Sequence, residues 1–266
     1  MVFVMKWKTF GIGYMLAIAI FLFAERRSTN PPAPAFTSVI DLTHEVGDKT
    51  PMFDEAGKDR FQARTVAQID KDGYFARYIC LPEHFGTHLD APAHFSTGRW
   101  TVDQIPARRL IGPLVVIDVS GKVHANPDYA VSVEDVAEWE QVNGQIPPGA
   151  IVVVRTGWGS RWSSAKDYRN ADASGTLHFP GYSPDAARFL VEAREAIGLG
   201  IDTLSVDPGV AKNFPVHKYT SAHSVYHIEN VANLSDAPEA GALAVVAPAK
   251  LEGGSGGPVR VLALVR

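Results

Sequence analysis

The segment EHFGTHLDAPAHF, residues 83–95, places three histidines and an aspartate within eleven positions. Imidazole nitrogens and carboxylate oxygens are suitable ligands for zinc, manganese or iron. His84, His88 and Asp90 are therefore candidate ligands of one divalent ion, and the small residues between them would let the backbone pack closely around it. The alternative from spacing alone is a surface loop in which the histidines make ordinary hydrogen bonds.

A second cluster of the same residue types, NFPVHKYTSAHSVYHIENV, lies at residues 213–231. It contains His217, His223, His227 and Glu229, and a histidine and a carboxylate from this window could hold an ion. Six of the nine histidines of the chain thus fall in two short windows, which favours a metal site assembled from two distant segments. A carboxylate has two oxygens, so Asp90 is the natural bridge if the second cluster holds an ion of its own.

The elements that must position these residues alternate between short strands and helices, which indicates an α/β domain. Apolar runs bounded by glycine and proline are typical of strands buried on both faces. Such runs are LVVIDVS at 114–120, AIVVVRTGW at 150–158 and IGLGIDTLSVDPG at 197–209. Two helices are predicted by their capping residues, SVEDVAEWEQV from Ser132 and SPDAARFLVEAREA from Ser183.

The first ligand segment follows a predicted β-hairpin whose strands lie in residues 61–70 and 74–82 and meet at KDG. Glycine, threonine and proline within the segment argue against a long regular helix. We therefore expect a loop or a short helix leaving a strand. His84 and His88, four positions apart, could share one face of such a helix.

The composition excludes several classes of protein. Lysine and arginine number 25 against 29 acidic residues in a chain of 266, and the net charge of −4 gives no electrostatic footprint for nucleic acid. A small-molecule substrate is the expected partner. Cys80 is the only cysteine, which excludes an intramolecular disulfide and a thiolate zinc cage.

Residues 1–36 are expected to lie outside the folded domain, which we place at residues 37–266. An apolar run of 15 residues, FGIGYMLAIAIFLFA at 10–24, follows two lysines and leads into a proline-rich linker. A full membrane span needs about 20 apolar residues, so the run suits a secretory signal peptide, with an uncleaved membrane anchor as the open alternative. We therefore expect an exported protein, periplasmic, secreted or attached to the membrane.

The residues HFGTHLDAPAHF resemble the H-x-G-T-H-x-D-x-P-x-H signature of the metal-dependent cyclase family, which includes bacterial kynurenine formamidase and isatin hydrolase. Further segments resemble strands and the closing loop of the family: VIDLTHEV, VVVRTGW, GIDTLSVDPG and LEGGSGGPVRVLAL. The resemblance covers the chain from about residue 38 to its end. It implies a single α/β domain of the swivelling β/β/α type, a mixed barrel-like sheet with flanking helices, which usually forms homodimers or homotetramers.

The resemblance also implies the metal ligands, residue by residue. One divalent ion, zinc or manganese, is bound by His84, His88 and Asp90. A second ion, where present, is served by Asp90, His217 and Glu229. Which metal binds, and whether one ion or two, is left open by the ligand types, because imidazole and carboxylate suit zinc, manganese and iron alike.

His94, at the last histidine of the signature, takes the family's general acid/base position. A divalent ion lowers the pKa of its bound water toward about 7, and the resulting hydroxide can attack an amide, formamide or lactam carbonyl while His94 carries a proton to the leaving nitrogen. His223 and His227 are left open between supporting roles beside the ligands or substrate and ordinary surface positions.

The substrate is expected to be small and aromatic, but its identity is open. Aromatic residues near the motifs could form an apolar wall, and the candidates are Phe53, Trp100, Trp158, Trp162, Phe214 and Tyr226. Two other functions remain: a lactone or ester hydrolase or a cyclase of the same family, and a non-catalytic protein that binds a small molecule through metal. A zinc peptidase is disfavoured because the chain has no H-E-x-x-H. The glycine-rich GGSGGP is interpreted as a tight loop near the site.

Overall fold

A closed ring of strands forms the centre of the domain in this computed structural model, which describes residues 36–54 and 60–266. The strands are β1 (Ser38–Asp41), β2 (Gln62–Ala67), β3 (Ala76–Cys80), β4 (His88–Asp90), β5 (Ile111–Asp118), β6 (Ala130–Val131), β7 (Ile151–Arg155), β8 (Gly181–Tyr182), β9 (Gly198–Ile201), β10 (Tyr226–Glu229), β11 (Ala242–Pro248) and β12 (Gly256–Val265). Within the described residues the ring runs β12-β11-β5-β7-β9-β10-β4 and returns to β12.

The ring mixes parallel and antiparallel pairs. Strands β5, β7, β9 and β10 are parallel, and the other pairs of the ring are antiparallel. Strand β12 closes the ring because its first residues, from Gly256, pair with β4, while its later residues pair with β11. Its last residues also pair with β1, which lies outside the ring. Strand β4, which carries the first ligand motif, is therefore held between β10 and β12.

Short helices surround the ring. They are α1 (Ile69–Asp72), α2 (Ser120–Ala125), α3 (Val133–Asn143), α4 (Ala165–Arg169), α5 (Pro184–Glu192) and α6 (Pro215–Ala222). In the described part of the chain, 3-10 turns accompany them at Pro92–His94, Val102–Gln104, Ala107–Arg109 and Trp158–Arg161. The predicted caps are confirmed: Ser132 Oγ accepts the Asp135 N–H at the start of α3, and Ser183 Oγ accepts the Ala186 N–H at the start of α5.

Two hydrophobic cores lie on opposite faces of the ring strands. Leu114 and Val116 of β5 belong to the core that the ring encloses, whereas Val115 and Ile117 belong to the core between the sheet and helices α3 and α5. Alternate residues of a strand point to opposite faces, so both faces of β5 are buried. This arrangement explains why the predicted strands are continuous apolar runs rather than alternating patterns.

The α/β fold with a mixed barrel-like sheet is confirmed, and the hairpin of β2 and β3 lies where it was predicted. The helix predicted at 183–196 ends earlier, at Glu192. One local prediction was wrong: His88–Asp90 is a strand of the ring, not part of a loop or helix, and only Pro92–His94 forms a helical turn. The same glycine and proline that argued against a helix flank a very short strand.

The N-terminal predictions concern residues outside the described part of the chain. The predicted signal peptide or anchor and its linker therefore remain predictions, as does the domain boundary. Across residues 36–54 and 60–266, no helix combines the length and apolar character needed to cross a bilayer.

Candidate metal centre

Two neighbouring strands present four ligand-type side chains on one face of the sheet. In the antiparallel pair of β4 and β10, Asp90 lies opposite His227 and His88 lies opposite Glu229. The residues between them, Leu89 and Ile228, point to the other face and are fully buried in the enclosed core. The alternation of polar and apolar residues in HLD and HIE therefore builds half of the site.

His88 is oriented by a turn that requires glycine. Its Nδ1–H donates to the Gly86 carbonyl at 2.9 Å, which directs Nε2 toward the Asp90 and Glu229 carboxylates at 3.2 and 3.4 Å. Gly86 has φ 64°, and a Cβ there would lie 2.4 Å from the Val46 side chain. Burial disfavours the charged imidazole, but hydrogen bonds to the two carboxylates outweigh it and raise the pKa of His88 to about 10.

His217 reaches the same carboxylates from helix α6. Its Nδ1 lies 2.6 Å from Asp207 Oδ2, and its Nε2 lies 3.2 Å from both Asp90 Oδ2 and Glu229 Oε1. Asp207 also accepts the backbone N–H groups of Val216 and His217, which have no partner within the first turn of the helix. Burial opposes protonation of His217, yet its bonds to these carboxylates raise its pKa well above the usual value.

His84 approaches from the side of the glycine-rich loop before β12. Its Nδ1 lies 2.6 Å from Asp90 Oδ1, and its Nε2 lies 3.0 Å from Ser255 Oγ. The Ser255 hydroxyl donates to Glu83, so its oxygen accepts the Nε2–H of His84. Gly256 leaves room for the ring, since a Cβ there would lie 2.5 Å from His84 Cε1. The predicted position of this loop beside the site is thus observed.

The two carboxylates at the centre are strongly acidic. Burial alone would favour the neutral acid, but hydrogen bonds from His217, His84 and His88, together with the nearby His227 ring, hold the pKa of Asp90 well below its usual value. Burial and the charge of Asp90 raise the pKa of Glu229, while His217 and His88 lower it to a net value below normal. Both groups are therefore anionic at neutral pH.

The donor set fits a divalent cation. His84, His88 and His217 each commit one ring nitrogen to an acceptor outside the cluster, so the nitrogens that face Asp90 and Glu229 are lone-pair atoms unless they are protonated. Protons on these nitrogens or a divalent cation bound between the nitrogens and the carboxylate oxygens would satisfy both sets of atoms. Ligand atoms lie within 4.8 Å of one another in two groups that share Asp90: His84, His88 and Asp90, and Asp90, His217 and His227.

His94 lies beside the cluster and faces the cavity. Its ring stacks on that of His84, with centroids 4.0 Å apart, and lies 6.2 Å from His217. Surrounding protein displaces part of its water, and this desolvation lowers the pKa of His94 to about 4 against the opposing effect of Asp90. The ring is therefore neutral at pH 7 and able to accept a proton.

A cavity of about 240 Å³ opens onto this cluster. Its apolar wall includes three phenylalanines, and the Phe214 ring lies 5.4 Å from Phe95 and 6.0 Å from Phe53, centroid to centroid. Met52 and Leu204 add to the wall. The cavity thus joins an aromatic surface to the carboxylates and histidines, the combination needed to bind an aromatic ring and act on a polar bond attached to it.

Other residues singled out from the sequence lie elsewhere. His223 is exposed at the end of α6, where its Nδ1 contacts the Tyr219 carbonyl. Trp100 packs against Arg109 and the enclosed core rather than lining the cavity. Among the other aromatic candidates, Phe53 and Phe214 line the cavity, whereas Trp158, Trp162 and Tyr226 pack in the two cores.

Sequence reasoning missed three contributors. Asp207 was read only as part of a strand and turn, Ser255 only as part of a loop, and Phe95 was not considered. The first two act through His217 and His84, and Phe95 lies 4.5 Å from the ring of His217. The adjacency of Phe95 to His94 was the one signal in the sequence.

Comparisons with known proteins agree with the geometry. Residues 40–208 match the family described as putative cyclase. The isatin hydrolase of Roseibium aggregatum is 34% identical over 242 residues, 85% of this chain and 91% of the relative. A kynurenine formamidase of Polaromonas naphthalenivorans is 26% identical over 186 residues, 69% and 72% of the two chains.

A solved structure extends the similarity to nearly the whole chain. An isatin hydrolase bound to the product analogue thioisatinate has a TM-score of 0.81 at 30% identity and covers 97% of this chain and 99% of that one. The chain therefore belongs to the putative cyclase family and is a metal-dependent hydrolase of amide C–N bonds other than peptide bonds.

Proposed function

We propose that this hydrolase opens the lactam ring of a small aromatic substrate of the isatin type. Water adds to the lactam carbonyl carbon, the C–N bond breaks, and the product carries a carboxylate and an arylamine. The observation that carries the proposal is the cavity itself, in which Phe53, Phe95 and Phe214 lie beside the two ligand groups centred on Asp90.

The proposed ligands of the divalent cation are His84, His88 and Asp90, with His217 and Glu229 completing a second position beside Asp90. A bound divalent cation supplies a water molecule of lowered pKa and polarises a carbonyl oxygen. Zinc and manganese are the proposed ions, because mixed imidazole and carboxylate ligands suit both. The outer hydrogen bonds of these histidines hold their rings in the orientation that binding needs.

His94 is the proposed proton carrier. It is neutral at pH 7, lines the cavity and is held in place by stacking on His84. It takes a proton from the attacking water and returns it to the nitrogen as the C–N bond breaks, since an arylamide anion is a poor leaving group. The aromatic wall holds the substrate ring, and a stacked or edge-to-face pair contributes about 0.5–1.5 kcal/mol beyond area burial.

The second candidate is hydrolysis of an N-formyl-arylamine, as the similarity to kynurenine formamidases supports. One observation favours the lactam: none of the described residues lining the cavity is lysine or arginine. An amino-acid side chain on the substrate would bring a carboxylate without a cationic partner in that lining. The identity to isatin hydrolase also extends over a larger share of the chain.

The test is a substrate comparison with purified protein loaded with zinc or manganese. We expect isatin to be hydrolysed with a kcat/KM well above that for N-formylkynurenine, and we expect chelation to abolish the activity and metal to restore it. Turnover of N-formylkynurenine with isatin inert would support the second candidate. A panel of lactones and aryl esters tests the ester alternative, and stoichiometric metal without any hydrolysis would indicate a non-catalytic binding protein.

Self-association as a homodimer or homotetramer is part of the proposal. It is supported by the hairpin of β2 and β3, on and beside which large apolar side chains are exposed. These are Val66, Ile69, Tyr74, Phe75, Tyr78 and Ile79. A concentration of exposed large apolar side chains on one element favours association with a partner. Light scattering of the wild type and of Y78E measures the oligomeric state. We expect the variant to dissociate into monomers.

Export is proposed from the N-terminal sequence alone, on the apolar run at 10–24 and its flanking basic residues. Fractionation of cells that express the full chain tests this, with mass spectrometry of the mature N-terminus to separate a cleaved signal from an uncleaved anchor. Recovery of full-length protein with the cytoplasmic markers would contradict it.

A further inference from the structure

His227 occupies an unusual position in the metal centre. It lies on β10 directly opposite Asp90, is 1% exposed, and is not among the described residues that line the cavity. Its ring lies 4.5 Å from that of His217, centroid to centroid. The imidazole therefore contacts the ligand cluster without reaching the space where a substrate binds.

Thr220 on α6 determines which nitrogen of His227 carries hydrogen. The Thr220 Oγ1 lies 2.7 Å from the Val216 carbonyl and 2.5 Å from His227 Nε2. A carbonyl only accepts, so the contact with Val216 corresponds to the arrangement in which the Thr220 hydroxyl donates its hydrogen to that carbonyl. The Thr220 oxygen then accepts from His227, which places a hydrogen on Nε2.

The other nitrogen of His227 is left without a protein partner. Nδ1 is buried, makes no hydrogen bond with any described residue, and lies 3.7 Å from Asp90 Oδ2. That separation is too long for a hydrogen bond. A buried polar atom without a partner is destabilising, and here its lone pair faces a carboxylate. A cation between the two atoms satisfies both.

We propose that His227 is a metal ligand, and that Asp90 Oδ2, His217 Nε2 and His227 Nδ1 hold a second divalent ion beside the one held by His84, His88 and Asp90. The inference rests on the proposed function and adds to it a ligand that neither the signature nor its spacing contains. Ligand atoms about 2.0–2.1 Å from a tetrahedral ion are about 3.3 Å apart. The distances of 3.2 and 3.7 Å from Asp90 Oδ2 to the two nitrogens bracket this value.

The donor types define the class of ion. Two imidazoles and a carboxylate select zinc, cobalt, iron or manganese over the oxygen-preferring magnesium and calcium. Glu229 Oε1 lies 3.2 Å from His217 Nε2 and accepts the Val206 N–H, so it borders the same position as a further oxygen. Thr220 acts as a positioning residue, because its hydroxyl keeps the lone pair of His227 on the inner nitrogen.

The experiment is a cobalt titration of the metal-free full chain, followed by equilibrium dialysis, elemental analysis and the visible d–d spectrum. We expect two cobalt ions per wild-type chain. His227→Gln is expected to retain one, with a changed spectrum, and Thr220→Val to bind both with the second about tenfold weaker, as for other outer hydrogen-bond partners. His223→Gln, which removes an exposed imidazole at the end of the same helix, is the matched control and is expected to behave as wild type.

The outcomes separate this inference from the proposed function. Two ions and a wild-type spectrum in H227Q would overturn the assignment of His227, and so would a wild type that binds one ion and hydrolyses isatin. A wild type that binds no ion would overturn both proposals. If circular dichroism shows that H227Q is unfolded, the affinity of T220V for the second ion tests the inference instead. An affinity equal to that of wild type would overturn it.

Discussion

Glu229 lies directly opposite His88 across the antiparallel pair of β10 and β4, with its Oε2 3.4 Å from His88 Nε2. The same register places His227 opposite Asp90. A slip of one residue between these strands would turn the ligands away and bring Leu89 and Ile228 to their face. The packing of these two apolar side chains in the enclosed core therefore fixes the register that the metal centre needs.

Replacement of His94 by asparagine should strongly reduce turnover without removing the metal. Asparagine can hydrogen-bond in the cavity but cannot carry a proton, so kcat should fall by about 10²- to 10⁴-fold. Steady-state kinetics and elemental analysis of the same preparation check this. H124N, at an exposed position on α2, is the control. Activity within a few-fold of wild type would remove His94 from the mechanism.

Replacement of Asp207 by asparagine should weaken metal binding although Asp207 lies outside the ligand set. Asp207 accepts from His217 Nδ1 at 2.6 Å and from two backbone N–H groups of α6, and asparagine cannot accept all three. We expect a 10- to 100-fold loss of affinity. Dialysis against buffered zinc measures the affinity, and thermal unfolding of the metal-free protein separates it from a loss of stability. Unchanged affinity would show that His217 needs no such support.

Replacement of Gly256 by alanine should displace His84. The new methyl group would lie 2.5 Å from His84 Cε1 and 2.8 Å from the Leu89 carbonyl, so the ring or the strand must move. We expect metal affinity at the first ion position to fall by about 10-fold or more. The matched control is Gly121→Ala in helix α2, where a Cβ meets nothing within 4 Å. Equal metal affinity in the two variants would contradict the prediction.

Replacement of Phe214 by leucine should impair aromatic substrates selectively. The loss of one aromatic contact, about 0.5–1.5 kcal/mol, corresponds to a decrease in kcat/KM of up to about 10-fold. Metal content should not change, since Phe214 is not a ligand. Phe75→Leu, on the exposed hairpin, controls for the loss of a phenyl ring. An identical kcat/KM for isatin in F214L and wild type would argue against an aromatic wall.

His44 should make the protein sensitive to mild acid. Burial lowers its pKa in the folded state from 6.5 to about 4, and its ring stacks on Trp162 with centroids 3.9 Å apart. As the pH falls from 6.5 to 4, the unfolded chain binds a proton at this residue that the folded protein does not. The free energy of unfolding should therefore decrease over that range, by up to about 3 kcal/mol, and level off below it.

The variant H44F keeps an aromatic ring beside Trp162 and removes the titrating group. Urea unfolding at pH 7 and pH 4.5 should show a smaller acid-induced loss of stability in H44F than in wild type. H223F, which replaces an exposed imidazole, should lose as much as wild type. Equal losses in wild type and H44F would show that His44 does not contribute.

Much of the fold follows from local patterns. The caps at Ser132 and Ser183 and the buried runs of β5, β7 and β9 could be predicted because propensity and burial act over a few residues. Closure of the ring could not be worked out from the residues and was implied only by the family resemblance. It depends on pairing between β4 and the first residues of β12, about 170 positions apart, which leaves no local pattern.

The site shows the same contrast between features that a local pattern predicts and features that depend on distant parts of the chain. The motif places His84, His88, Asp90 and His94 together in sequence, and the structure brings His217 and Glu229 to them. The strand at His88–Asp90 was missed because its polar–apolar alternation spans only three residues and lies between glycine and proline. Its partner HIE shows the same period of two, and that pairing is the sequence signal that would have placed His227 on the ligand face. Trp100 was misjudged because nearness in sequence does not decide which face a side chain occupies.

The metal centre also joins parts of the chain that are far apart. His217 contacts Asp90 across 127 positions, and Ser255 contacts His84 across 171. Contacts of such high order form late in folding, after the entropy of loop closure has been overcome. Ion uptake is therefore a reporter of global folding: a partly folded intermediate lacks the chelating cage, and a colorimetric zinc dye would follow refolding of this protein without any label.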